Sequence, residues 1–241
     1  MTSVIKEAAT VVLVRQEESG LEVFMLERPA RGIFPELHVF PGGKVDTEDE
    51  SIASQYGQVF ERTRWGIGCP TKFAVTVIRE CFEEAGVLFV EAESCGSDAV
   101  GVIDGQRESL LSSDQTFAEL LNNGNLKLDF SNLFYFSHWI TPARAPARFN
   151  TRFFVACIPE QQSASHHISE TESGAWVSPS TALENYSAGK WQMIWPTLTT
   201  LRMISGYASV ERLIKDVEVG RHRIPITPSM HAQGMQYFEL S

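Results

Sequence analysis

The sequence predicts an α+β domain built around a mixed β-sheet. Three observations carry that expectation. Short β-branched runs bounded by charge coexist with stretches whose apolar residues recur every three or four positions, so both strands and helices are present. The two kinds do not follow a strict βαβ order, which argues against a doubly wound parallel sheet. The final third of the chain reads mainly as helices, which adds a helical C-terminal part over about 179–218.

Residues 8–14 form the first strand, and residues 21–26 the second. Glu17-Glu18-Ser19-Gly20 joins them as a hairpin turn, with Gly20 at the bend. Residues 38–40 give a third strand that ends at Pro41-Gly42-Gly43. Between Lys44 and Pro70 no period is clean, so this stretch reads as a long loop with a short helix near 51–59. Residues 71–85 make the best-defined helix, because Ala74, Val77, Ile78, Cys81 and Ala85 lie three or four apart. Thr71 is its candidate N-cap and Gly86 its stop. Another helix is expected over 113–121, ahead of Asn122-Asn123-Gly124. Strands over 133–140 and 152–158 flank the proline-rich TPARAPARF, and a short strand covers 175–177. Helices follow over 179–186, 197–204 and 208–217. No repeat or low-complexity linker divides the chain, so residues 1–241 read as one domain.

Composition narrows the function. A hydrophobic content of 43% with 21% charged residues supports a packed globule and argues against disorder. The 30 acidic residues against 20 basic ones exclude a nonspecific nucleic-acid binder, which needs a basic surface. A small polyanionic substrate stays compatible, because a bound metal reverses the field inside a cleft. Cys69, Cys81, Cys95 and Cys157 form no C-x-x-C pair and read as reduced thiols of a cytoplasmic protein. The apolar run after Glu7 stops at Arg15, too short for a membrane span or a signal peptide, and the terminal FELS is not an S-K-L address. No membrane partner is expected.

The stretch richest in chemistry is Arg79-Glu80-Cys81-Phe82-Glu83-Glu84-Ala85-Gly86-Val87. On a helix, Glu80, Glu83 and Glu84 stand at i, i+3 and i+4 and share one narrow face. Carboxylates that close repel one another unless a cation joins them, and an oxygen-only donor set suits Mg²⁺ or Mn²⁺. Arg79, four residues before Glu83, is placed to orient it. Upstream, the Gly42-Gly43 step lets backbone approach a ligand closely, and Gly43 can present its carbonyl to a metal.

Together these pieces resemble the Nudix hydrolase signature, G-x5-E-x7-R-E-U-x-E-E-x-G-U with U apolar. Gly43 matches the first glycine; Arg79, Glu80, Glu83, Glu84, Gly86 and Val87 match the second half. Asp49 replaces the early Glu, and twenty-nine residues rather than seven separate it from Arg79. An interrupted box after VFPGGKVD resembles the Nudix branch that includes the peroxisomal coenzyme A diphosphatase of animals. ARFNTRFFVA and WVSPSTALENYSAGK extend that likeness over residues 8–205. The resemblance implies an α/β/α sandwich with an insertion at about 50–71, which would form a lid or a homodimer contact. It also implies metal-dependent hydrolysis of a nucleoside diphosphate linked to another moiety. Coenzyme A or an acyl-CoA is the favoured substrate, cut to 3′,5′-ADP and a 4′-phosphopantetheine product. ADP-ribose or NADH is the enzymatic alternative, and a catalytically idle ligand-sensing module the alternative of another class. Glu80, Glu83, Glu84 and Gly43 are the expected metal holders, with Glu80, Glu84 and Arg79 in the catalytic machinery. The general base is left between Glu80, Glu170 and Glu172. Arg144, Arg148 and Arg152 cluster in an acidic chain and are candidates for the 3′-phosphate of coenzyme A, and Arg28 and Arg31 are further candidates for substrate contact. His166-His167 reads as loop surface, and Trp139, Trp176, Trp191 and Trp195 as packing.

Overall fold

A computed structural model describes residues 4–30, 36–59, 69–92, 99–142, 145, 147–169, 171–220 and 225–226. The first two strands, β1 (Ile5–Glu17) and β2 (Gly20–Glu27), pair antiparallel only near their turn, from Val14↔Val23 to Glu17↔Gly20. Beyond that they splay, and the gap receives the next segment. β3 (His38–Val39) pairs with β2 at Leu26 and Glu27, while β4 (Gly42–Lys44) pairs with β1 at Ala8, Ala9 and Thr10. The Gly42-Gly43 step is therefore a strand held in a fork of the sheet, where the sequence suggested only the end of one. Gly42 has φ +154°, and a Cβ there would overlap the backbone of Ala9 and Thr10.

On the other side of β1, β6 (Arg148–Cys157) runs parallel over ten residue pairs. β5 (Leu133–Ile140) pairs antiparallel with β6, with a register shift between Tyr135 and Ser137. β7 (Ser173–Val177) adds to β2, and β8 (Pro225–Ile226) adds parallel to β5. Among the described residues the strands form one eight-stranded sheet, mixed as expected.

Alternation along β1 and β6 builds two cores. Ala9, Val11 and Leu13 join Phe154 and Ala156 on one face, under α2 (Thr71–Ala85). Val12, Val14, Phe153 and Val155 occupy the other, under α6 (Trp195–Ile204) and α7 (Val210–Glu218). Helices on both faces give the sandwich. α5 (Pro179–Ser187) starts from a Ser178 cap. Among the described residues no helix is long and apolar enough to cross a membrane.

Several boundaries differ from expectation for local reasons. The helix sought near 51–59 is α1 (Thr47–Ala53), started earlier by a capping box between Asp46 and Asp49. Thr71 does not cap α2; Pro70 holds that position, and the Thr71 hydroxyl donates to the Gly57 carbonyl. The helix expected over 113–121 is α4 (Phe117–Asn123), capped by Thr116. α3 (Ala99–Leu111) went unanticipated, since Gly101 and Gly105 and weak amphipathicity hide it. β6 begins four residues before the expected strand.

Candidate active site

The site is organised by a carboxylate that the sequence placed at the first acid of the box but gave no role. Asp49 is fully buried. It receives Nε and Nη2 of Arg79, both at 2.9 Å, the Thr76 hydroxyl at 2.8 Å and the Asp46 amide at 2.8 Å. This two-pronged contact stretches Arg79 along α2. The same guanidinium donates through Nη1 to Glu80 Oε1 at 3.0 Å and to Glu83 Oε2 at 2.9 Å, and through Nη2 to the Lys44 carbonyl at 3.0 Å. Arg79 therefore ties α1, α2 and β4 together. The role expected for it toward Glu83 extends to Glu80. The signal that pointed to Asp49 was its place six residues after Gly43, where the box carries its first acid.

Glu84 accepts a 2.7 Å hydrogen bond from the Gly42 amide, forty-two residues away in sequence. The Glu80 carboxylate lies against Gly43 so closely that a Cβ at that position would overlap it. Burial pushes the Glu80 carboxyl above the usual carboxylate range, against the pull of Arg79 and Arg28. Glu83 is pushed up to about 7 by burial, opposed by Arg79 and reinforced by Glu80 and Asp49. The C-terminal end of α2 is held from outside the box. Arg107 on α3 donates Nε and Nη2 to the Glu83 carbonyl at 3.1 and 3.0 Å, and Nη2 also to the Ser165 carbonyl at 3.0 Å. Gly86, at φ +71°, then ends the helix.

Gly42, Gly43, Arg79, Glu80 and Glu84 line one end of a cavity of about 930 Å³, together with Arg28 and Lys44. The other walls include Trp139, Thr141, Phe149, Thr151 and Phe153 on the β5–β6 side, Leu37, Val39 and Phe40 around β3, and Ile194, Trp195, Pro196 and Thr197 at the start of α6.

The other expected site residues lie elsewhere. Glu83 contacts Arg79 and is not in the cavity wall. Arg148 and Arg152 are absent from that wall, which β6 lines with Phe149, Thr151 and Phe153. The strand pleat turns its even-numbered residues to the α2 face, where the Arg152 guanidinium sits 4.9 Å from the Phe73 ring and Nη1 donates to Asn150 Oδ1 at 2.6 Å. Arg148 reaches the Thr141 carbonyl at 3.4 Å. Arg31, Arg144 and Glu170 lie outside the described residues. Glu172 is exposed beside β7, with its amide on the Glu27 carbonyl, and does not line the cavity. His167 pairs with Glu108 at 2.8 Å, in keeping with a surface loop. Among the described residues no three His, Cys, Asp or Glu side chains stand preassembled around one point as metal ligands.

Comparison with known proteins decides the family. Residues 59–204, more than half of the chain, match the family model described as the NUDT19 Nudix domain. The chain belongs to this Nudix family. A Nudix hydrolase of Alicyclobacillus acidocaldarius, known from its crystal structure, superposes with a TM-score of 0.77 at 26% identity, covering 91% of this chain and 99% of that one. The acyl-coenzyme A diphosphatase NUDT19 of Xenopus laevis is 26% identical over 82% of this chain and 63% of its own length. Its Homo sapiens counterpart is 26% identical over 81% and 64%. The chain thus spans less than two thirds of the length of these two relatives. Glu80, Glu83 and Glu84 lie on α2 within the matched residues, and Gly42 and Gly43 precede them.

Proposed function

We propose that this chain is a divalent-metal-dependent diphosphatase acting on coenzyme A or an acyl-CoA. Water adds across the diphosphate bond, releasing 3′,5′-ADP and 4′-phosphopantetheine or its acylated form. The observation that carries this reading is the convergence of Glu80 and Glu84 with the Gly42-Gly43 strand at one end of a cavity much larger than a diphosphate. The names of the NUDT19 relatives support the substrate class.

The donor set fits Mg²⁺ or Mn²⁺. Asp49, Glu80 and Glu83 crowd three carboxylates around the single guanidinium of Arg79, and Glu84 follows on the same helix, so a further cation would offset their mutual repulsion. Glu80, Glu84 and the Gly43 carbonyl would hold it from the cavity side, and Glu83 is the further oxygen donor on the same helix face. When bound, such an ion lowers the pKa of a coordinated water and neutralises phosphate oxygens. The chain's own groups do the rest. Arg28 and Lys44 face the cavity as cations for the diphosphate, and Asp49 with Arg79 keeps the glutamates aligned. Of the candidate bases, Glu80 borders the cavity and is assigned the water's proton.

The test is product analysis on CoA, octanoyl-CoA, NADH and ADP-ribose with Mg²⁺, Mn²⁺ or EDTA. The reading expects 3′,5′-ADP from the two CoA substrates, abolished by EDTA. Cleavage confined to NADH or ADP-ribose would reassign the substrate, and no cleavage of any of the four would favour the idle module.

A further inference from the structure

The last turn of α2 sits in an electrostatic conflict. Glu83 and Glu84 lie at the end of the helix where its dipole is negative, and α2 has no basic residue in that turn. A helix end also frays, because its last carbonyls have no intrahelical donor. Here those of Glu83 and Ala85 find donors outside the helix. Ser165, in the loop between β6 and β7, gives its amide to the Ala85 carbonyl at 2.9 Å. The Glu83 carbonyl takes two N–H groups of Arg107, whose guanidinium also reaches the Ser165 carbonyl and hydroxyl. Gly86 leaves the room for it: a Cβ there would lie 2.8 Å from Arg107 Nη1. Just beyond, the Gln162 side chain pairs with the Leu88 amide at 2.9 Å and the Leu88 carbonyl at 2.7 Å. The Arg107 charge is felt inside the turn. Burial and the Glu84 charge push the Cys81 thiol up, and Arg107 pulls it the other way.

We propose that Arg107 is a positioning residue for the metal site; the inference rests on the metal-dependent reading above. Acting through the Glu83 carbonyl, it stops the last turn of α2 from unwinding. From α3 it supplies the cation that the helix end lacks, so the Glu83 and Glu84 carboxylates keep their places. Arg79 grips the carboxylates of Glu80 and Glu83 directly, whereas Arg107 holds the backbone beneath Glu83 and Glu84. A frayed turn would draw Glu84 away from the Gly42 amide, and with it one side of the site.

The experiment measures Mn²⁺ binding to the full chain without substrate, by electron paramagnetic resonance of the free ion, for the wild type, Arg107→Met, Arg107→Lys and Leu213→Ala. Methionine keeps much of the stem and removes donors and charge, while lysine keeps the charge and loses the fork. Leu213 is buried in the core on the opposite face of the sheet and controls for general destabilisation. Losing an outer partner of metal ligands costs about 10- to 100-fold in affinity, so Arg107→Met should raise the Mn²⁺ Kd at least about tenfold, Arg107→Lys at least about threefold, and Leu213→Ala less than about twofold. With CoA as substrate, the Mg²⁺ concentration for half activation should rise in step, while KM for CoA at saturating Mg²⁺ stays within about twofold. An unchanged Mn²⁺ Kd in Arg107→Met overturns the proposal, as does one in Arg107→Lys should the methionine variant fail to fold. Equal weakening in Leu213→Ala overturns it too. If the wild type binds no Mn²⁺, the metal reading fails and this inference falls with it. Mn²⁺ bound and weakened as expected, with CoA uncut, would sustain the role of Arg107 and reassign only the substrate.

Discussion

Asp49 shows how much of the site depends on a single side chain. It is fully buried and holds the Arg79 fork, the Thr76 hydroxyl and the start of α1. Removing one partner of a buried ion pair costs roughly 3–5 kcal/mol, because the other charge is stranded. Arg79 would retain Glu80 and Glu83, which places Asp49→Ala near the lower end, about 3 kcal/mol less stable by urea unfolding, with kcat reduced as the glutamates lose alignment. A second residue gives a pH signature. Burial lowers the His138 pKa to about 4, helped by the Arg152 charge and opposed by the bond to Asn150. A histidine whose folded pKa lies below its unfolded value is neutral in the native state while the unfolded chain takes up the proton. Its contribution to stability is therefore full above about pH 6.5 and is lost as pH falls toward 4. Comparing unfolding of the wild type with His138→Gln at pH 7 and pH 4 should show the wild type losing about 2–3 kcal/mol more than the variant. Equal losses would place the titration elsewhere.

At the scale of elements, what the sequence revealed follows physical rules. α2 could be read to the residue because its buried face has a helical period and Gly86 ends it in the left-handed region. β4 could not, because Gly-Gly-Lys has no strand pattern of its own. Its pairing comes from the splayed half of β1, which is distant information. The same limit explains the arginines. Alternation separates Arg148 and Arg152 from Phe149, Thr151 and Phe153, but alternation alone does not say which face borders a cavity. α3 was invisible for want of amphipathicity, and with it Arg107, whose guanidinium holds the end of the Nudix helix. Arg107 is 6% exposed, and its loss would leave the Glu83 and Ser165 carbonyls without these donors. Arg107→Ala is expected to lower stability by about 2–3 kcal/mol, with the loss of amide exchange protection concentrated in the last turn of α2. Uniform loss across all helices would deny Arg107 a local role.

For the whole molecule, the sandwich makes the chemistry possible by forking its sheet. β1 and β2 part, the 38–44 segment fills the fork, and its glycine backbone meets Glu80 and Glu84 of α2. The net charge of −10 repels a polyanion from the molecule as a whole, which Arg28 and Lys44 at the cavity, together with a bound cation, would offset. The most direct test is the rate of 3′,5′-ADP release from CoA, titrated with Mg²⁺, for the wild type and Glu84→Gln. Glutamine keeps an oxygen for the Gly42 amide and removes only the charge. The account predicts no release by the wild type in EDTA, saturable activation by Mg²⁺, and a loss of at least about 10²-fold for the variant with its fold intact. Release that persists without metal, or unchanged turnover of Glu84→Gln at saturating Mg²⁺, would contradict it.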